Sequence, residues 1–172
     1  AYQVEGAAAE EGRTPSVWDT FSRQPGTVVH AHNGDIATDH YHRYHDDVLL
    51  MKDMGLKAYR FSVSWSRIFP DSSRTINQAG MDFYKRLVDD LVNAGIQPWM
   101  TLFHWDLPQW VEDRFGGWES KQCAEAGADD AASRAWTFGD RVAGCFTINE
   151  FMCFLDEAYV AVEEPFGPGE QV

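Results

Sequence analysis

The sequence predicts an α/β chain with parallel strands, part of a (β/α)8 TIM barrel, on three observations. Strand-like, loop-like and helix-like stretches alternate with a repeat of about 40 residues, the order produced by parallel strands joined through helical crossovers. No glycine-rich phosphate fingerprint follows any strand, which argues against a nucleotide-binding doubly wound sheet. Polar and aromatic side chains gather at the C-terminal ends of the strands, where barrel enzymes keep their chemistry. A closed barrel takes roughly 200 to 400 residues, so the 172 residues here are expected to supply about strands one to four with their helices. On this reading residues 1–172 are the N-terminal half of a single domain, truncated at both ends. Such a half leaves two parallel strand edges and one sheet face uncovered.

The elements follow in order. Residues 1–38 carry Gly, Ala, Thr, Pro and Asn-Gly signals around one apolar cluster, Val17 to Phe21, and read as a long loop holding one helical turn. From Thr38 or Asp39, both plausible caps, Tyr41, Tyr44, Val48 and Met51 recur at helical spacing until Gly55. Lys57 to Val63 reads as a strand and Trp65 to Pro70 as the loop after it. Between Gly80 and Gly95 the pairs Phe83/Tyr84, Leu87/Val88 and Leu91/Val92 mark a second amphipathic helix. Ile96 to Phe103 is a nearly continuous apolar run, the mark of a strand buried on both faces. A third helix, Glu119 to about Phe138, has an inward stripe of Ala124, Ala128, Ala131 and Ala135 and is expected to pack weakly. Cys145 to Ile148 reads as a buried strand, and Met152 to Val162 as the start of a fourth helix before the Pro165 to Gly169 loop.

Charge and cysteines narrow the function classes. A formal net charge of −13 disfavours a nucleic-acid backbone or an anionic membrane surface as partner, since both demand a basic patch. No run approaches the roughly 20 apolar residues of a membrane span, and no signal segment opens the chain. Cys123, Cys145 and Cys153 show no C-x-x-C spacing, so neither a disulfide framework nor a zinc knuckle is indicated. They read as small buried hydrophobes of a reducing compartment, and a cytoplasmic location is expected.

The chemistry-bearing residues lie at strand ends. Asn149 and Glu150 close the last strand, and a carboxylate at the mouth of a packed sheet is partly desolvated, which raises a carboxyl toward the range of proton transfer near neutral pH. The competing role for the pair is a helix N-cap. Sugars are recognised by amides and carboxylates for the hydroxyls and by aromatic rings for the apolar pyranose faces. Gln3, His104, Asn149 and Glu150 supply the first kind, and Trp65, Trp105, Trp110 and Trp118 are candidate platforms, with plain packing as the alternative for each. His104 and Asp106 are also half of a conceivable metal site, but no third ligand stands at a readable spacing, so no metal is expected. Arg60 lies inside a strand, where its charge is expected to be buried and to seek a carboxylate.

At these residues the chain resembles a known family. Ala1-Tyr2-Gln3-Val4-Glu5-Gly6-Ala7, Tyr59-Arg60-Phe61-Ser62-Val63-Ser64-Trp65-Ser66-Arg67-Ile68, Thr101-Leu102-Phe103-His104-Trp105-Asp106-Leu107-Pro108 and Phe146-Thr147-Ile148-Asn149-Glu150 resemble glycoside hydrolase family 1, the β-glucosidase family, in order and in spacing. The resemblance implies retaining hydrolysis of terminal β-linked sugars, with a β-glucoside or related small saccharide as substrate and no cofactor. It implies Glu150 as general acid/base, Asn149 on the sugar 2-hydroxyl, Gln3 and His104 on other hydroxyls, Trp105 lining the same subsite, and Arg60 holding the nucleophile's carboxylate. The family's nucleophile lies in a Glu-Asn-Gly motif on strand seven, which this sequence does not contain. The chain alone is therefore expected to be inactive without the C-terminal half of the barrel. The alternative is a non-catalytic sugar binder or inactive remnant of the same fold, and a metal-dependent hydrolase using His104 and Asp106 ranks last. Within the matched region, Phe151 stands where the family usually has Pro, the closing loop lacks a customary His, and the third helix with Asp129-Asp130 is more polar than usual.

Overall fold

The computed structural model describes residues 1–73 and 75–156, without the side chains at 129–130, 133–136 and 154. Three strands, β1 (Ala58–Ser62), β2 (Gln97–Phe103) and β3 (Gly144–Ile148), form one parallel sheet in the order β1-β2-β3. Register pairs Ser62 with Thr101 and Thr101 with Phe146. Because side chains alternate along a strand, Arg60, Ser62, Trp99, Thr101 and Phe146 share one face, and Tyr59, Phe61 and Met100 share the other. The arrangement is a partial (β/α)8 barrel, as the alternation predicts.

Seven helices surround the strands among the described residues: α1 (Val17–Ser22), α2 (His40–Asp53), α3 (Trp65–Ile68), α4 (Gln78–Asn93), α5 (Gln109–Phe115), α6 (Lys121–Phe138) and α7 (Phe151–Leu155). α1 starts at a capping box in which Asp19 N–H donates to Ser16 Oγ and Ser16 N–H donates to Asp19 Oδ2. α4 buries Met81, Phe83, Tyr84, Leu87, Val88 and Leu91, positions that fall on one face at helical period. The core sits between this face, α2 and the Phe61/Met100 face of the sheet. Gly55 and Gly95, both at φ +75°, end α2 and α4 in the left-handed conformation that glycine adopts without steric cost.

Several expectations need correction. Trp65 to Ile68 is one turn of helix rather than loop, and α5 is a helix that the sequence pattern did not reveal. Asp39 occupies the N-cap position of α2 in a left-handed conformation, φ 56°, and makes no side-chain cap bond. Residues 2–4 form a turn, with Val4 and Glu5 N–H groups donating to Ala1 O, and enter no strand ladder. β3 is not buried: Cys145, Phe146 and Thr147 are exposed, because β3 is an edge strand with no described element across its outer side. On α6 the residues that point inward are Cys123, Ala126 and Phe138, whereas Ala124 and Ala128 are exposed along an apolar cavity of about 210 Å³ shared with Trp65 and Trp118. Helical structure after the third strand is described only as far as Asp156, so residues 157–162 and the Pro165 to Gly169 loop lie outside the described residues.

Candidate active site

The ends of β2 and β3 build the first half of the site. Asn149, 7% exposed, extends the β2–β3 ladder by donating its N–H to Phe103 O at 3.0 Å. Its side-chain Oδ1 accepts from Arg60 Nη2 at 2.7 Å, and its carbonyl accepts from Trp105 Nε1 at 2.8 Å. Directly after Asn149, Glu150 stands at the start of α7 with φ 44°. Trp105, at the end of β2, is also left-handed, φ 74°. Non-glycine residues hold such a backbone only where their surroundings over-determine it, and here the indole of one is tied to the peptide preceding the other. The N-cap role is not taken up: Glu150 makes no side-chain cap bond, and Asn149 Oδ1 is engaged by Arg60.

The second half is the N-terminal segment laid over β1. The Gln3 amide lies 3.5 Å from His104 Nε2. Gln3, Glu5, Arg60, Ser62, Thr101 and His104 are among the walls of one cavity of about 330 Å³, within the range that accommodates a small ligand. Asn149, Glu150 and Trp105 are not among those walls. Burial holds the His104 imidazole below its ordinary value, helped by Arg60 and opposed by Glu150. A neutral imidazole at neutral pH both donates and accepts, which suits hydroxyl recognition.

Two expectations about charge are overturned. Arg60 is exposed rather than buried, and its partners are the neutral oxygens of Thr101, 2.8 Å from Nε, and of Asn149. Ser62 and Thr101 on the same face are buried, so the exposure is local to the Arg60 end of the strand. Glu150 is likewise exposed rather than desolvated. Asp106 goes the other way. It is 1% exposed, neither carboxylate oxygen has a hydrogen-bond partner, and burial pushes its carboxyl up to about 6. His104 and Asp106 gain no third ligand among the described residues.

Of the four candidate platforms, Trp105 alone is tied to the site residue Asn149. Trp65 is buried edge-on to Trp110, and Trp118 packs edge-on to Phe103. What the sequence did not expose is the ring of contacts behind Gln3, centred on Glu5 and Arg67. Its one signal was a pair of opposite charges, Glu5 and Arg67, inside two of the matched motifs.

Comparison with known proteins places these motifs. The profile of Glycosyl hydrolase family 1 matches residues 1–172. Thermostable beta-glucosidase B of Thermobispora bispora is 55% identical over 150 residues, covering 87% of this chain and 31% of that protein. Aryl-phospho-beta-D-glucosidase BglC of Bacillus subtilis is 47% identical over 167 residues, covering 97% of this chain and 35% of that protein. Among solved structures, psychrophilic beta-glucosidase BglU from Micrococcus antarcticus matches with a TM-score of 0.92 at 46% identity, over 99% of this chain and 36% of that one. The chain thus spans only 31% to 36% of the length of these relatives.

Proposed function

The chain belongs to glycosyl hydrolase family 1, and from that premise we propose that it is the N-terminal part, about a third by length, of a single (β/α)8 domain, carrying the acid/base of a retaining β-glycosidase. In the complete polypeptide Glu150 protonates the glycosidic oxygen and later takes the proton of the attacking water. Asn149 hydrogen-bonds the sugar 2-hydroxyl, Gln3 and His104 bind further hydroxyls, and Trp105 lines the same subsite. Arg60 pairs with the carboxylate of a nucleophile that the rest of the barrel brings to it, at roughly 5 to 5.5 Å from the acid/base in a retaining enzyme. The observation that carries this reading is the tie from Arg60 and Trp105 to Asn149, which sets the direction of the residue before Glu150. The substrate is a β-glucoside or related small saccharide. Without the nucleophile the segment alone turns over nothing. No described helix is long and apolar enough to cross a membrane. Of the three free thiols only Cys123 is buried, against the expectation for all three, while Cys145 and Cys153 are exposed; free thiols support a cytoplasmic location.

The test is Glu150→Gln in the complete polypeptide, assayed on aryl β-glucosides of graded leaving-group ability. Loss of activity on poor leaving groups, with activated ones partly spared, is the expected result. Equal activity on both sinks the assignment. Sugar binding with no turnover in the unmutated protein points instead to a non-catalytic binder.

A further inference from the structure

We propose that Arg67 is a positioning residue for Gln3: through Glu5 and the backbone after it, its guanidinium sets the N-terminal segment so that Gln3 meets His104. This rests on the reading above, in which Gln3 and His104 bind sugar hydroxyls.

Arg67 is fully buried in the α3 turn. Its Nε donates to Glu5 Oε2 at 3.2 Å, and its Nη2 donates to Gly6 O at 3.1 Å and Ala7 O at 3.4 Å. One planar fork thus grips three consecutive residues. The remaining nitrogen, Nη1, has no hydrogen bond, and the guanidinium carbon lies 4.1 Å over the Tyr41 ring, where cation–π attraction compensates in part. Glu5, also buried, accepts on its second oxygen from Tyr84 Oη at 2.6 Å, and Tyr84 Oη accepts from Ser64 N–H at 2.8 Å. From the opposite side, the first N–H groups of α2, at His40 and Tyr41, donate to Val4 O and Glu5 O at 3.0 and 2.9 Å.

A buried ion pair is weak evidence for stability, since apolar residues of like volume often serve as well. An apolar side chain, however, has no means of orienting a carboxylate and the two peptide groups that follow it. The segment has little slack to absorb a shift: a Cβ on Gly6 would meet Ile36 O at 2.1 Å. Displacement of Glu5 therefore passes to Gln3, two residues away, whose 3.5 Å approach to His104 stands at the limit of a hydrogen bond. Arg67 is not among the walls of the 330 Å³ cavity, so its influence on substrate is transmitted.

The experiment is a double-mutant cycle on kcat/KM for an aryl β-glucoside in the complete polypeptide, using Gln3→Ala, Arg67→Lys and the double variant. Arg67→Lys keeps the charge opposite Glu5 and loses the fork. We expect Gln3→Ala to lower kcat/KM about 100-fold and Arg67→Lys about 10-fold, with the double variant within about 3-fold of Gln3→Ala. Effects that multiply to about 1,000-fold overturn the inference and leave the functional reading intact, as does wild-type kcat/KM in Arg67→Lys. A silent Gln3→Ala overturns both. Should Arg67→Lys not fold, Tyr84→Phe, which removes one hydrogen bond to Glu5, takes its place in the same cycle under the same criteria.

Discussion

Phe83, Val88 and Leu91 of α4 are fully buried against the β1–β2 side of the sheet, while Phe146 of β3 is 43% exposed and α6 lies along a 210 Å³ cavity. Both regions are a helix laid against parallel strands, yet α4 buries a long apolar face while the tip of β3 is tied by polar contacts. The difference teaches where the geometry of each site half comes from. Gln3 is set by a buried network behind it, on the closed side. Asn149 and Glu150 sit on the open side, where packing contributes little, and there Arg60 and Trp105 hold the strand end by three hydrogen bonds, to Thr101 and Asn149.

The largest expected effect tests that contrast directly. Leu91→Ala should cost about 2–5 kcal/mol of unfolding free energy. Phe146→Ala, which gives up an exposed ring with the Arg60 guanidinium 4.6 Å above it, should cost only about 0.5–1 kcal/mol. Similar losses in urea melts of the two variants would erase the distinction between the regions.

Next in size is Asp106, at the seam between them. Its folded value, about 6, lies above the ordinary 3.8, so the stability gained from its protonation is fully present below the unfolded value and is lost as pH rises through about 6. Asp106→Asn should therefore stabilise the protein by on the order of 2–3 kcal/mol at neutral pH. The gain should vanish in acid, and a difference that persists there would mean that charge burial is not its source.

On the open side, Gly127→Ala should stabilise by about 1 kcal/mol through helix propensity, because the added Cβ meets Trp65 at an unstrained 3.6 Å. A lower thermal midpoint would show that α6 packs more tightly than its cavity indicates.

The smallest effect lies on the closed side. Asp39, and then Glu10, hold exposed His42 above its ordinary value against slight burial. Its contribution is present below the unfolded value and is lost as pH rises through the folded one. His42→Gln should flatten the urea midpoint across that window, and an unchanged slope would assign the pH dependence to other groups.

Much of this was legible in the sequence where the signal is local. α4 announced itself through paired apolar residues at helical period, and Gly95 marked its end. The clusters after β2 and β3 could be placed because polar residues following an apolar run stand at a strand's tip. α3 escaped because one turn is too short to show a period. α5 escaped because Pro108 ahead of Trp110, Val111 and Phe115 reads as a loop. The burial of β3 was misread for a different reason: Cys145, Phe146 and Thr147 suit a buried strand, but a strand's burial depends on what lies beside it.

The sequence by itself determined the alternation of strand and helix, the barrel class, the family and the side chains offered at the strand tips, because periodicity and turn chemistry act over a few residues. Tertiary structure alone decided what those side chains meet. Arg60 reaches a neutral amide 89 residues away and Arg67 a carboxylate 62 residues away. Asp106 is sealed from water while Glu150 is left in it. Burial and charge pairing depend on which distant surfaces close over a group, and the residues beside it in the chain do not encode that.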